Sequence, residues 1–421
     1  MTANVNIRSG VEFHPTKPGN NFRVSSTSAT LSWFPRESLH QNVMEIKIAH
    51  VPSAAMEPQI VGDTIQLFWE NKQKQRMQGR SAQFSMEATV QTTNEIVPVR
   101  DKILFPIIQQ SISPEVRAYL KPGRIANHNH DLEQAAMSLV AEKDDLYHAV
   151  FAIADWVSTN IAYSLASEGQ PAIQSASQVL NSRFGKCDEI TALFVSMNRA
   201  VGIPCRFALG YSYTDNEILF KQRWGAHSWA EVHFPGVGWV PFDVTYGQFG
   251  YVDAGHIMLS ASNDAEPSSV EFSASGREFE LFGCEVDTIV MPRNVQPADM
   301  NIARSPAIDI CFEAQAKEVG FGSACVVVAT LINKRDHYVS TRLNLGKPNE
   351  IELLNGSDTS KNVLLNPREV REIPFFFKMD EQYKSGYRYE YTFSISSNLT
   401  SKQERAVVIV KEGAPLFYAK M

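Results

Sequence analysis

The spacing of apolar residues changes twice along this chain of 421 residues, and those two changes limit the folds open to it. In the first part, ATLSWFP (29–35), MEIKIAHVP (44–52), TIQLFWE (64–70) and AQFSMEATVQ (82–91) are rich in β-branched and aromatic residues, several alternating with polar ones. Such segments form strands, and a spacing of about 15–20 residues suits a β-sandwich. From residue 106 the period lengthens. SPEVRAYL (113–120), LEQAAMSLVAEK (132–143), DLYHAVFAIADWVSTNI (145–161), IQSASQVLNSRF (173–184) and CDEITALFVSMNRA (187–200) carry apolar residues at helical spacing. In the third, Leu146, Val150, Ile153, Val157 and Ile161 share one helix face. Gly202 and Pro204 punctuate the end of the last helix. Strands then resume in CRFALGYSY (205–213), SWAEVHF (228–234) and WVPFDVT (239–245), so this middle part has an α+β order.

Residues 305–421 return to strands alone, about seven within about 100 residues, which is the count and size of an immunoglobulin-like sandwich. The expected organisation is an N-terminal β-sandwich over 1–105, an α+β unit over 106–262, a linker or extension of that unit over 263–304, and a C-terminal immunoglobulin-like β-sandwich over 305–421. At about 150 residues per domain the length accommodates that number.

Charge excludes some classes of partner. With 39 basic and 46 acidic side chains the net charge is −7, and no Lys/Arg cluster suggests a nucleic-acid groove or a polybasic membrane surface. The longest apolar runs, such as Ala324–Ile332, fall far short of the roughly 18 residues of a membrane span. No charged and apolar leader opens the sequence, so as written it reads as cytoplasmic; a trimmed export signal would give a secreted or surface protein the same appearance. Five cysteines (187, 205, 284, 311 and 325), without paired spacing, do not make a disulfide framework or a metal motif. Asn355-Gly-Ser and Asn398-Leu-Thr match glycosylation sequons of a kind common by chance.

Two segments carry candidate chemistry. In SRFGKCDEITALFVSMNRA, Gly185 permits a tight turn and Cys187 falls in the first turn of a helix. There the unpaired N–H groups and the helix dipole favour thiolate; Lys186 adds to this, while Asp188 and Glu189 oppose it. In GAHSWAEVHFPGVGWVPFDVT, His227 opens one strand and Asp243 lies near the end of the next. A thiolate needs a base, and the base needs an acceptor on its other ring nitrogen; Cys187, His227 and Asp243 supply the three roles in that order. Strand alternation tests the assignment. A regular four-residue loop pairing Phe234 with Trp239 would set Asp243 opposite Ala230, on the wrong side from His227. The triad therefore predicts an odd-length connection or a β-bulge; otherwise the orienting role would pass to Glu231.

With these residues in view, the stretch from about Leu120 to Leu259 resembles the transglutaminase-like superfamily. The G-x-C helix start, the GIPCRFALGY strand entry, AHSWAEV, GWVPFDVT and the following YVDAGHIML carry the likeness, which is closest to prokaryotic and archaeal members, many of them suspected cysteine proteases. It implies a papain-like core and a thiol mechanism, with Cys187 as nucleophile, His227 as general base then acid, and Asp243 as orienter. It implies a protein or peptide substrate, cleaved through a thioester, or transamidated if an amine is the acyl acceptor. Nothing in the sequence suggests a cofactor, and the triad chemistry needs no metal, so neither is expected. Catalytically inactive members of the fold exist, so a scaffold or binding protein is the competing expectation. The oxyanion-stabilising Trp of the animal enzymes has no match; Trp156 and Tyr163 are expected in the core, leaving the Cys187 backbone N–H as oxyanion donor.

The remaining features have simpler readings. In HNHD (128–131), Asn129 or Asp131 is expected as a helix cap rather than a ligand. His256, after the Asp strand with Asp253, is expected to be a packed or hydrogen-bonded residue, and Cys205 a buried, inert one. Cys311 and Cys325 could pair within the last domain but are expected as core thiols, and the run 73–81 as a solvated turn.

Overall fold

The computed structural model describes residues 1–19, 21–51, 58–70, 81–164, 173–214, 223–265, 270–283, 286–293, 307–354 and 359–418. The middle of the chain folds as its periodicity indicates. Helices α1 (His130–Val140), α2 (Leu146–Asn160), α3 (Ala176–Ser182) and α4 (Cys187–Ala200) pack on a sheet of β1 (Cys205–Tyr213), β2 (Trp224–Phe234), β3 (Gly238–Asp243), β4 (Gln248–Phe249) and β5 (His256–Ser262). The sheet is antiparallel in the order β4-β3-β2-β1-β5.

Helix α4 lies at the centre, packed on α1, α2, α3, β1 and β2. Residues Glu189 to Arg199 are all buried, so it is a core helix rather than an amphipathic surface one. It stops where expected, at Gly202 with φ of +80°. Helix α1 is capped by the Asn129 side chain, which accepts the Leu132 N–H at 3.0 Å, so the HNHD segment is indeed a cap. The five residues expected on one face of α2 and at its C-terminal end, Leu146 to Ile161, are all buried.

The N-terminal part holds more strands than its sequence was expected to give. Thr2–Pro15, absent from the expected set, is the centre of a sheet, paired with Ser81–Thr92, which in turn pairs with Gln41–Val51. Ala3, Val5, Ile7, Val11 and Phe13 point inward from it, an alternation that was readable. A second sheet joins Arg23–Leu31 to Thr64–Glu70 and Gln59–Val61. Both are completed from far along the chain. Val270–Arg277 pairs with Arg23–Leu31, while Phe279–Gly283 and Asp287–Arg293 pair with Thr2–Pro15. These strands correct the reading of 263–304 as a linker or extension of the middle unit. Val270–Arg277 is polar and alternating, as suits a strand covering a sheet edge, and the partners of all three strands lie some 240 or more residues away, beyond the reach of any local pattern.

The N-terminal sheets share one continuous hydrophobic core with the middle unit. A segment after Leu31 lies along β5: the Phe34 N–H bonds the Leu259 carbonyl at 3.0 Å, and Gln41 exchanges bonds with both backbone groups of Met258 at 2.8 and 2.9 Å. The C-terminal part has its own core between two sheets. One contains Ile308–Ala314, Ala324–Asn333, Val370–Lys378 and Glu352–Leu353; the other Glu318–Val319, Thr400–Lys411, Arg388–Ser397, Val339–Gly346 and Ser360–Leu365. It docks on the middle unit through Tyr338, whose ring stacks on Tyr147 at 5.0 Å and whose hydroxyl bonds Asp145. Among the described residues no helix is long and apolar enough to cross a membrane.

Candidate active site

The offset required by strand alternation is present. Phe234 pairs with Gly238 and Ala230 with Phe242, so Pro235, Gly236 and Val237 form a three-residue connection. Gly236 and Gly238 take φ of +81° and +112°, conformations that favour glycine. Asp243, one step beyond Phe242, falls level with Trp229 and on the side of His227. There the His227 Nε2 donates to Asp243 Oδ2 at 2.7 Å, and both side chains are buried. Asp243 Oδ1 accepts the N–H groups of Thr245 and Tyr246 at 2.9 and 3.0 Å. Glu231, the alternative orienter, is instead paired with Arg206 through bonds of 2.8 and 2.7 Å.

With Nε2 committed to Asp243, Nδ1 is the nitrogen left for the thiol, and Cys187 is a hydrogen-bond partner of His227. Cys187 is half-buried at the first position of α4. The acid expected to oppose a thiolate here has another task. Glu189 is fully buried and turns back to accept the Lys186 N–H at 2.9 Å and the Gln174 N–H at 2.8 Å, tying the chain before the helix to its first turn. Gly185 permits this by its size. A Cβ there would stand 3.0 Å from the Glu189 Cβ, so close approach rather than an unusual turn requires the glycine.

Electrostatics reinforce the geometry. Burial alone would lower the basicity of His227, but the Asp243 carboxylate outweighs it and, with the Cys187 interaction, brings the imidazole up to about 10. For Asp243 burial works toward protonation, yet attraction to His227 and His256 holds the carboxyl well below its usual range. At neutral pH the imidazole is therefore charged beside the thiol, the state that stabilises a thiolate. Tyr246 covers the His227 ring, stacked at 4.6 Å and 14°, with its hydroxyl 3.1 Å from Ser212 Oγ. Sequence reasoning missed Tyr246; its signal was its place in the turn whose N–H groups cap Asp243.

His256 is hydrogen-bonded, as expected, but its partner was not foreseen. Nε2 lies 3.1 Å from Asp243 Oδ2, and Nδ1 lies 3.1 Å from Asp253 Oδ1. His227, Asp243 and His256 thus offer three close ligand atoms. Donors bound to one tetrahedral ion at about 2.05 Å stand about 3.3 Å apart, whereas His227 and Asp243 approach to 2.7 Å, the distance of a charged hydrogen bond. The set fits proton sharing and does not fit a metal.

The other expected residues divide clearly. Trp156 is covered by the Arg183 guanidinium at 4.8 Å from its ring, a packing role. Cys205 is buried, which pushes its thiol up to about 12. Cys325 is a core thiol, but Cys311 is exposed: in Ile308–Ala314, Ile310 and Phe312 take the inward positions and Cys311 the outward one between them. Asn398 spends its amide on Tyr251 and its oxygen on the Arg342 N–H. Cys284, Asn355 and residues 73–80 of the basic run lie outside the described residues.

Known proteins place this unit. Residues 133–244, from α1 to one residue past Asp243, match the model of the transglutaminase-like superfamily core. An uncharacterised protein of Bacillus subtilis (strain 168), YebA, is 28% identical over 125 residues, which cover 27% of this chain; the chain spans only 17% of that relative's length. Among solved structures, a candidate cysteine protease from Cytophaga hutchinsonii aligns over 70% of this chain and 93% of its own at 20% identity, with a TM-score of 0.46. The periplasmic domain of TgpA from Pseudomonas aeruginosa aligns over 57% and 87% at 17% identity, with a TM-score of 0.30. Through residues 133–244 the chain is thus similar to the transglutaminase-like superfamily.

Proposed function

We propose that this protein is a thiol enzyme acting on amide bonds of proteins or peptides, with Cys187 as nucleophile, His227 as proton carrier and Asp243 as orienter. One observation carries the reading: a buried imidazole bonded on Nε2 to a carboxylate at 2.7 Å and on its other side to a half-exposed thiol at a helix start. The Cys187 sulfur attacks the carbonyl carbon, and helix N-terminal N–H groups, that of Cys187 among them, face the oxyanion. Collapse of the tetrahedral species breaks the C–N bond; His227 gives its Nδ1 proton to the departing amine, leaving a thioester. Water, activated by the same nitrogen, then releases the acid and regenerates the thiol. We favour water over an amine as acceptor, on the likeness of the motifs to prokaryotic members of the family. The C-terminal sheets are read as an immunoglobulin-like sandwich flanking this unit.

A scaffold with an idle thiol is the competing reading, and the half-exposure of Cys187 speaks against it. The test is brief, limiting iodoacetamide treatment across pH 5 to 9, followed by peptide mapping. Selective alkylation of Cys187 well below the roughly 8.5 of an ordinary thiol, lost in His227→Ala, is the expected result. Labelling of Cys187 no faster than that of the other cysteines would refute the enzyme.

A further inference from the structure

Asp243 is shared. Its Oδ2 receives His227 Nε2 at 2.7 Å and His256 Nε2 at 3.1 Å, and the thiol mechanism accounts only for the first. His256 is fully buried on β5, and both its ring nitrogens face carboxylate oxygens, Asp243 Oδ2 and Asp253 Oδ1, each at 3.1 Å. A carboxylate only accepts, and a neutral imidazole carries one N–H; both bonds are donated only by an imidazolium. Asp253 is itself fixed, accepting the Gln248 amide at 2.6 Å and the Gly255 N–H at 2.8 Å. The turn to His256 admits only glycine at 255, where a Cβ would stand 2.9 Å from Asp253 Oδ1 and from the Tyr213 Cβ.

We infer that His256 is a positioning residue: an imidazolium fixed by Asp253 that keeps Asp243 ionised and aims its Oδ2 at His227. The inference rests on the thiol mechanism proposed above and extends it by two residues. The groups facing His256 fit the assignment. From β3 comes Asp243, from the turn before β5 Asp253, and from β2 the His227 ring at 5.5 Å between centroids. Tyr246 lies edge-on at 5.7 Å and Trp229 at 5.1 Å. From the N-terminal segment His40 bonds the His256 carbonyl, and burial lowers its own imidazole to about 4, so it adds no charge. Attraction to both carboxylates overcomes the burial of His256 and raises it to about 9, in keeping with the donor count.

The test is a double-mutant cycle read by the rate of Cys187 alkylation at pH 6. His256→Leu keeps bulk but removes both donors; His256→Gln retains a neutral N–H near the Nε2 position. A hydrogen bond to a charged group corresponds to about tenfold or more in such a rate. The Leu variant is therefore expected to react about tenfold slower than native, and the Gln variant, which keeps the bond to Asp243 but not the charge, about threefold slower. On an Asp243→Asn background His256→Leu should slow the reaction no further, because its effect passes through Asp243. Native behaviour of the Leu variant, equal losses in Leu and Gln, or a loss that persists on the Asp243→Asn background would each overturn the inference. If His256→Leu does not fold, Asp253→Asn carries the test: loss of proton from His256 should slow the reaction, relative to native, more at pH 8 than at pH 6, and an unchanged ratio overturns it. Native protein whose Cys187 reactivity is indifferent to His227→Ala would instead sink the thiol mechanism itself, a result distinct from any of these.

Discussion

Replacing Glu189 by alanine tests whether the start of α4, and with it the thiol, is held by one buried carboxylate. That carboxylate accepts two backbone N–H groups, from Gln174 and Lys186, at 2.8 and 2.9 Å, and the Gln174 side chain at 3.3 Å. Alanine leaves both backbone donors without this acceptor in a site that admits little water. At about 1–3 kcal/mol for each of the two stranded donors, the loss is about 2–6 kcal/mol. For a cooperative unit of about 150–250 residues, such a loss lowers the melting temperature by about 4–24 °C. Glu189→Gln keeps one oxygen but turns an amide toward the second N–H, so about half of that loss is expected. Melting followed by circular dichroism gives the stability. Alkylation of Cys187 at pH 6 gives the local effect, and it should fall even where the variant is fully folded, because the chain before Cys187 is no longer tied. Melting within about 2 °C of native, with native alkylation, would refute the reasoning.

Three further outcomes follow from the same geometry. Asp243→Asn removes the charge that brings His227 from 6.5 to about 10, so alkylation of Cys187 at pH 6 should fall about a hundredfold or more; a native rate would show that His227 is held by something else. In the pH dependence of stability, His227 and His256 are raised to about 10 and about 9, so their contribution is complete below about 6.5 and is lost as pH rises through those values. Asp243 and Asp253 are lowered, so theirs is complete above about 3.8 and lost as pH falls through their folded values. Melting temperatures should therefore be highest between about pH 4 and 6.5, and the alkaline decline should flatten in a His227→Ala variant; an unaltered alkaline limb would contradict the assignment. Gly210→Ala would place a Cβ 1.9 Å from the Ile257 carbonyl oxygen, across the β1–β5 pairing, and should leave little folded protein in a thermal melt or soluble-yield assay.

The parts of this molecule that the sequence disclosed are those written in short-range patterns. Helix α4 spans Cys187–Ala200, the residues its apolar spacing and end signals indicate, and requiring His227 and Asp243 on one face calls for an odd-length connection or a bulge, which the three-residue hairpin supplies. What escaped is decided by partners distant in the chain. Nothing near Val270–Arg277 announces that Ser273 will face Ser28, and nothing near His256 announces Asp243 as its partner, because both pairings arise only when the sheets assemble. Glu189 shows a different limit. Its sequence position suggested a charge opposed to the thiolate, while its side chain is turned back to the preceding loop by hydrogen bonds that sequence alone does not reveal. Cys311 was misplaced for a simpler reason, since one step of alternation separates core from solvent.

The completion of the N-terminal sheets by Val270–Arg277 and Asp287–Arg293 has a consequence for the order in which this protein can be made. Leu31 leaves the ribosome 239 residues before its partner Val270, an interval of about 12–48 s at 5–20 residues per second. During that time Arg23–Leu31 and Thr2–Pro15 each present an unpaired edge, open to association with another nascent chain. The helices and sheet of the middle unit emerge within the same interval, and Phe34, Arg36 and Gln41 bond β5 directly. The middle unit is thus available as a template on which the earliest strands wait, and synthesis that stalls between about Asn263 and Arg293 would release a chain with Cys187, His227 and Asp243 assembled and its N-terminal sheets unsealed.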